Sequence, residues 1–466
     1  MAAGGDWASL PSVVLEHIFS KLSLKERTNA SSTCRRWREY LFLPQFWPVI
    51  NFNLNYKGRQ RSRFLSAKCS KFVKEATIEF NSTRVSQVWD CARLLDLLSR
   101  NGQVECICLR PSNSYFDGDK DSLDSFLESL RQAVKRNRKL VHLSLGCAEV
   151  VLINSKDVLN LLVKYHAPNL QSLHLTSVKE DSSSYDLPHI GFDCVSVFSN
   201  LQALSLDYDF LTPKLMTSLA DRQLGRPPLN NLCIHVHRVG QKQLTDSMWK
   251  RFVTANPHLE LTVNLVHSID GLHALLDILK PSMPLVHFRQ YFCGDIRVAS
   301  LNALGLHYPS TLRSLTIIEA IDLQPINYDT NDAEDPFVML AWRCSRLESL
   351  KLFGVSVDQK NLVAIARLRP ELCELSVPSC CVFWSEDDED YYDSDEALFD
   401  LQYKVSESLG RNWQLLPEFC VPPAVFYHDA DADNAYMADL LADQSWGLLS
   451  QSFQQNIGKS QVYCRE

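Results

Sequence analysis

No stretch of this 466-residue chain reaches the roughly 20 consecutive apolar residues that a membrane helix needs. The start, MAAGGDWASLP, has no basic opening followed by an apolar run, so it reads as no export signal. No CxxC pair occurs among the 15 cysteines; Cys106 and Cys108 are two apart and Cys380 and Cys381 are adjacent, and neither spacing suits a zinc knuckle. GxxxxGK[ST], GxGxxG, HExxH and GxSxG are all missing. The 13 histidines do not fall at ligand spacing from acids or cysteines, so neither a metal nor a cofactor is expected. The net charge of -8 gives no general pull toward nucleic acid or acidic membranes. Scattered cysteines in apolar runs read as small buried hydrophobes in a reduced compartment, which predicts a cytoplasmic and/or nuclear protein.

What is present begins with three short helical segments between Leu10 and Trp47. Pro11 suits a helix first turn, where its missing N–H costs nothing. Val14, Ile18 and Leu22 recur at four, with Val13, Leu15 and Phe19 beside them, forming a broad apolar stripe. Ser23 followed by Glu26 is a capping-box pattern. A third segment spans Cys34 to Leu41 and stops before Pro44. Fifty residues cannot bury Phe19, Trp37, Phe42, Phe46 and Trp47 unaided, so part of this surface awaits a protein neighbour.

Beyond residue 75 the pattern L-x-x-L-x-L takes over. It occurs at Leu140, Leu170, Leu201, Leu229, Leu312, Leu347 and Leu372, with weaker copies at Val104, Leu259 and Leu285. Copies from Leu140 to Leu259 are spaced 30, 31, 28 and 30 residues, near the upper edge of the leucine-rich range. Amphipathic segments lie between, at Leu123–Val134, Val158–Tyr165, Met248–Ala255, Leu272–Leu279 and Asn361–Leu368. Strand then helix, about ten times over, predicts an α/β solenoid with parallel strands inside and helices outside. Leucines stack between repeats. By alternation His142, Ser144, Ser172, His174, Ser205, Asn231, Ser314, Thr316, Ser349 and Lys351 then point to the concave face, as candidate contacts for a protein partner.

Leu10-Pro11, Ile18-Phe19, Leu22, Leu24, Cys34, Trp37 and Trp47, in that order, resemble the F-box motif. Lys25-Glu26 and Thr33 stand where that family often has an acidic and an aliphatic residue. The resemblance implies a three-helix module that binds Skp1 through Leu10, Pro11, Ile18, Phe19, Leu22, Leu24, Cys34 and Trp37. Through Skp1 it would join the cullin and RING subunits of a ubiquitin ligase. Glu334–Cys344, Asn361–Arg369 and Leu279–Ser282 also resemble the F-box family. F-box plus leucine-rich repeats implies a non-catalytic receptor for a protein substrate. A scaffold unconnected with ubiquitin is the alternative.

The expected organisation is an F-box at 5–50, a basic linker at 51–75, repeats at 76–380, an acidic disordered loop at 385–396 and a cap with tail at 397–466. The basic stretch from Lys57 to Lys74 has few stacking aromatics, which favours a solvated helix over a nucleic-acid site. Eight acids lie among the twelve residues 385–396, where Ser385 precedes Asp388 as an acid-directed kinase site would. Val405, Leu409, Trp413 and Leu416 are expected to close the last repeat. Cys420 and Cys464 are the only cysteines placed as conceivable nucleophiles, and no histidine or basic cluster sits beside either in sequence, His428 being the nearest to Cys420.

Overall fold

The computed structural model describes residues 7–117, 119–178, 192–221, 227–237, 244–321, 324–328, 334–384 and 395–426, with Met437 and Leu441. Ser385, nearly all of the acidic run, and Cys464 lie outside these residues. Three helices open the chain: α1 (Ser12–Lys21), α2 (Leu24–Ser31) and α3 (Arg35–Leu41). The strands follow as β1 (Val49–Asn53), β2 (Glu75–Phe80), β3 (Cys106–Pro111), β4 (His142–Ser144), β5 (Ser172–His174), β6 (Ala203–Asp207) and β7 (Asn231–Val236). Then come β8 (Glu260–Val266), β9 (Leu285–Tyr291), β10 (Ser314–Ile318), β11 (Ser349–Phe353), β12 (Val357–Asp358), β13 (Glu374–Ser376) and β14 (Val382–Phe383). Strands β1 to β11 and β13 form one sheet in sequence order, with every neighbouring pair parallel; β12 pairs separately with β14.

The pattern leucines explain that order. Leu143, Leu173, Leu204 and Leu232 sit in register on consecutive strands and are fully buried. No single strand of three to seven residues can cover its own apolar face, so each repeat is stabilised by the next. Truncating one such leucine to alanine costs about 2–5 kcal/mol. Helices fill the gaps and pack on one another along one face, among them α5 (Val85–Asn101) against Lys120–Arg136. The expected helix over Leu272–Leu279 is broken at Ala274 into Ile269–His273 and Leu275–Ile278.

Regular leucine-rich arrays bond the turn after the strand with a side-chain amide. Here the side-chain amides of Asn101, Asn137 and Asn256 sit instead at helix C-termini. Asn137 donates to the carbonyls of Leu98 (3.2 Å) and Ala133 (2.8 Å) and accepts from Val104 N–H (3.3 Å). Asn256 accepts from Leu229 N–H (2.7 Å) and donates to Phe252 (2.9 Å), and Asn101 donates to Ser70 and Val73. Each amide ties a helix end to a neighbouring repeat and satisfies carbonyls that the helix leaves open. Gly354 is needed where it stands: its φ is +71°, and a Cβ there would lie 2.1 Å from the Glu319 carbonyl oxygen.

The sheet begins earlier than expected. The stretch 51–75 is no linker, because it contains most of β1, the helix α4 (Arg59–Cys69) and the start of β2. Ile50 and Phe52 on β1 and Leu54 just after it are buried, as are Leu65 and Cys69 on α4. The charges of α4 point away from that core. Arg59 and Arg63 both grip the buried Asp90 of α5, at 2.5 and 2.7 Å. At the other end, Val405, Leu409 and Trp413 are buried against the last repeats. Trp413 Nε1–H donates to the Leu375 carbonyl (2.8 Å), and Leu416 N–H to that of Val377 (2.9 Å).

All described cysteines are free thiols, and nine are buried; burial pushes Cys69 and Cys381 up to about 12, whereas Cys420 is exposed. No described helix is long and apolar enough to cross a membrane.

Candidate functional site

Two surfaces follow from the residues singled out above. The first is the outer face of the three-helix module. Ser23 caps α2 as a full capping box: its Oγ accepts from Glu26 N–H (3.4 Å), and Glu26 accepts from Ser23 N–H (2.7 Å). Cys34 caps α3, its Sγ accepting from Trp37 N–H (3.5 Å). Leu24 opens α2. Leu15 and Phe19 form the inner stripe of α1 and are completely buried. Phe19 lies 5.8 Å from the Trp37 ring, edge to face, and 6.2 Å from those of Tyr40 and Phe46. Phe19 is therefore core, not contact surface. Arg27 sits over the Phe46 ring at 4.7 Å and donates to the Phe19 carbonyl (2.7 Å), fixing α2 to α1.

The opposite stripe of α1 faces out. Val14 is 41% exposed and Val13 77%, while Ile18 and Leu22 are half-buried in the same i, i+4 row. Pro11 is exposed and Leu10, Cys34 and Trp37 are half-buried. Arg36 donates to the Leu10 carbonyl (2.5 Å) and Trp37 Nε1–H to that of Trp7 (3.0 Å), which hold the exposed N-terminal turn, including Trp7, against α3. Val13 and Val14 were not singled out by the motif; their signal is a stripe too wide for one buried face.

The second surface is the helix-free face of the sheet, the expected concave side. His142, Ser144, Ser172, His174, Ser205 and Thr316 are on it but buried, so they offer no open contact surface. Alternation assigns a side chain to a face, not to solvent. With strands about 4.8 Å apart, small hydroxyls are roofed by larger neighbours. His174 bridges two neighbouring strands: Nε2 pairs with Ser172 Oγ on its own strand (2.7 Å) and Nδ1 with Ser205 Oγ on β6 (3.0 Å). Burial pushes its imidazole down to about 3 and that of His142 to about 4, so both are neutral at physiological pH.

Asn231, Ser314, Ser349 and Lys351 are the candidates that stay half-exposed. Around them Lys351 Nζ lies 2.8 Å from Glu374, Ser349 Oγ–H donates to the same carboxylate (2.9 Å), and Arg313 pairs with Glu260 (3.0 Å). Alternating charge on strands β8 to β13 makes this part polar and open. At the other end Asn51 and Asn53 both donate to Glu79, beside Arg110.

A family model described as F-box-like matches residues 7–53. F-box only protein 33 of Homo sapiens is 28% identical, covering 92% of this chain and 87% of its own length. F-box/LRR-repeat protein 21 of Mus musculus is 24% identical, covering 88% of this chain and 89% of its own length. Among solved structures, an internalin from Listeria monocytogenes shares 13% identity over 68% of this chain and 82% of that one, with a TM-score of 0.26, a likeness too slight to bear on the architecture. The chain thus carries an F-box-like domain at its N-terminus, followed by a leucine-rich parallel-strand array, and its homologues over most of its length are F-box and F-box/LRR-repeat proteins.

Proposed function

We propose that this protein is the substrate-recognition subunit of a Skp1–cullin–F-box ubiquitin ligase. The F-box-like module docks Skp1, and through it the cullin and RING subunits. The repeats hold a protein substrate for ubiquitination and degradation. The protein contributes proximity and orientation, and no reacting group of its own.

The observation that carries this reading is the outward row of α1. An exposed apolar ridge on a small helical module is what a partner surface needs. Leu10, Pro11, Ile18, Leu22, Leu24, Cys34 and Trp37 form or border the interface, and Phe19 supports it from behind. On the sheet, Asn231, Ser314, Ser349 and Lys351 are the substrate-facing residues. The test is co-purification of Skp1 with the full chain. Leu10→Ala with Pro11→Ala, and separately Trp37→Ala, are expected to abolish it while the array stays folded. Skp1 recovered undiminished with both variants would remove the proposal.

One observation favours a second reading. Leu41 and Trp47 are buried in the same apolar cluster as the first strands, so the module also closes the open end of the array. A scaffold whose F-box-like helices serve only as a cap would have this feature. Cullin co-purification separates the two, since a capping module recovers none.

A further inference from the structure

We propose that Asp207, His235 and His237, with the Ser177 carbonyl, hold a divalent metal ion of the zinc class that staples adjacent repeats. Sequence spacing gave no such site, because its members come from three repeats. Asp207 ends β6, His235 lies on β7, His237 follows it, and Ser177 follows β5. All three side chains are at most 3% exposed, and their ligand atoms lie within 4.8 Å of one another.

The side chains of this cluster converge on the Ser177 carbonyl oxygen. His237 Nδ1 is 3.2 Å from the Val266 carbonyl oxygen, and Nε2 is 2.8 Å from that of Ser177. Carbonyl oxygens only accept and a neutral imidazole carries one N–H, so a neutral His237 sets one lone pair against an oxygen. With the N–H on Nδ1 toward Val266, that lone pair is on Nε2 and faces the Ser177 oxygen. His235 Nδ1 approaches the same oxygen at 3.0 Å, and Asp207 Oδ1 lies 3.8 Å from His237 Nε2. Two imidazoles, a carboxylate and a carbonyl thus converge in one buried place. Zinc bonds of about 2.0–2.2 Å set neighbouring N and O ligands about 3.4 Å apart; spacings of 2.8, 3.0 and 3.8 Å bracket that value.

The surroundings resemble a metal site's outer shell. The Val266 carbonyl orients His237 as carbonyls orient ligating imidazoles. Ser177 N–H and Oγ–H donate to the two Asp207 oxygens, at 2.9 and 2.7 Å. The donor set, two imidazoles with a carboxylate and a carbonyl, suits borderline ions and not calcium or magnesium. Burial raises the thiols of Cys147 and Cys233, and the Asp207 charge raises both further, so these nearby sulfurs stay protonated bystanders.

The test uses the full chain in reducing buffer. Elemental analysis after dialysis against zinc is expected to give about one zinc per chain, and the melting temperature is expected to rise on zinc addition. Cobalt(II) should give ligand-field bands without a thiolate charge-transfer band. Asp207→Asn and His235→Gln should each weaken zinc binding by about 100-fold with unchanged far-UV circular dichroism. If those variants fail to fold, the cobalt spectrum of the wild type decides. Zinc below about a tenth of an equivalent would overturn the proposal. A thiolate band, or unaltered affinity in folded Asp207→Asn, would overturn it equally.

Discussion

Val14→Glu is the sharpest probe of Skp1 docking, because its effects on folding and on binding separate. Val14 is 41% exposed on the outward row of α1. Complete burial of a valine is worth about 1.5 kcal/mol, so covering the exposed part contributes about 0.6 kcal/mol. Glutamate would forfeit that and would strand a carboxylate against an apolar partner, costing about 2–3 kcal/mol more. The sum, about 3 kcal/mol, is a loss of roughly 100-fold in Kd. The helix itself gains slightly, since glutamate has the better helix propensity. Titration calorimetry with purified Skp1 reads the affinity, and thermal melting checks the fold. Phe19→Ala is the contrast: it empties the core of the module, costs about 3–5 kcal/mol of stability and loses binding by unfolding. A Kd for Val14→Glu within about threefold of wild type would refute the assignment of this row to the interface.

Two further outcomes concern the array. Asp90→Ala should lower the stability of the N-terminal repeats by about 1–3 kcal/mol, because two arginines lose a buried carboxylate partner but are exposed enough to rehydrate; an unchanged urea midpoint counts against it. Glu319 is fully buried, accepting from Gln290 Nε2–H and from Cys293 and Gly294 N–H, with Asp295 nearby. Burial pushes its carboxyl up to about 7 from 4.5. A group raised in the folded state binds its proton less readily when unfolded, so stability should fall as pH rises from about 4.5 to 7 and level off above. The decrement is at most about 3 kcal/mol. Urea midpoints of wild type and Glu319→Gln that run parallel across pH 5–8 would refute this.

Strands β3 to β11 and β13 were legible because the backbone dictates their signal: inward apolar residues two apart, repeated at near-constant spacing. Strands β1 and β2 escaped because Ile50, Phe52, Ala76, Ile78 and Phe80 do the same work without the leucine template. A count of positive charge then made a helix look like a linker, although Leu65 and Cys69 anchor it. On α1, apolar residues occupy both stripes, so periodicity shows a helix but not which stripe is core. Tertiary packing on Trp37, Tyr40 and Phe46 decides for Phe19. On the sheet, alternation gave the face of His142 and His174 and not their depth. The grouping of Asp207 with His235 depends on the register of β6 against β7, which exists only once the strands pair.

The joint between module and array bears on how a receptor of this kind would work. Trp47 is buried, donates through Nε1–H to the Leu41 carbonyl (2.5 Å) and is separated from β1 only by Pro48. The Pro48 carbonyl then accepts from the N–H groups of Lys74 and Glu75, at 2.7 and 2.9 Å. The outward face of α1 and the sheet are therefore joined through packed side chains and not through a flexible tether. A bound substrate would be presented at a set distance and angle, and that geometry is the contribution a non-catalytic subunit makes to transfer. Trp47→Ala removes the packing at the joint, at a cost of about 3–5 kcal/mol, yet leaves the outward row of α1 intact. The expected result is faster hydrogen exchange at the amides of β1, Lys74 and Glu75. Skp1 affinity should change less than about threefold, and ubiquitin transfer to a bound substrate should fall. Unchanged exchange in β1 would mean that the joint does not depend on Trp47. Faster exchange with undiminished transfer would show that a fixed geometry is not what the subunit supplies.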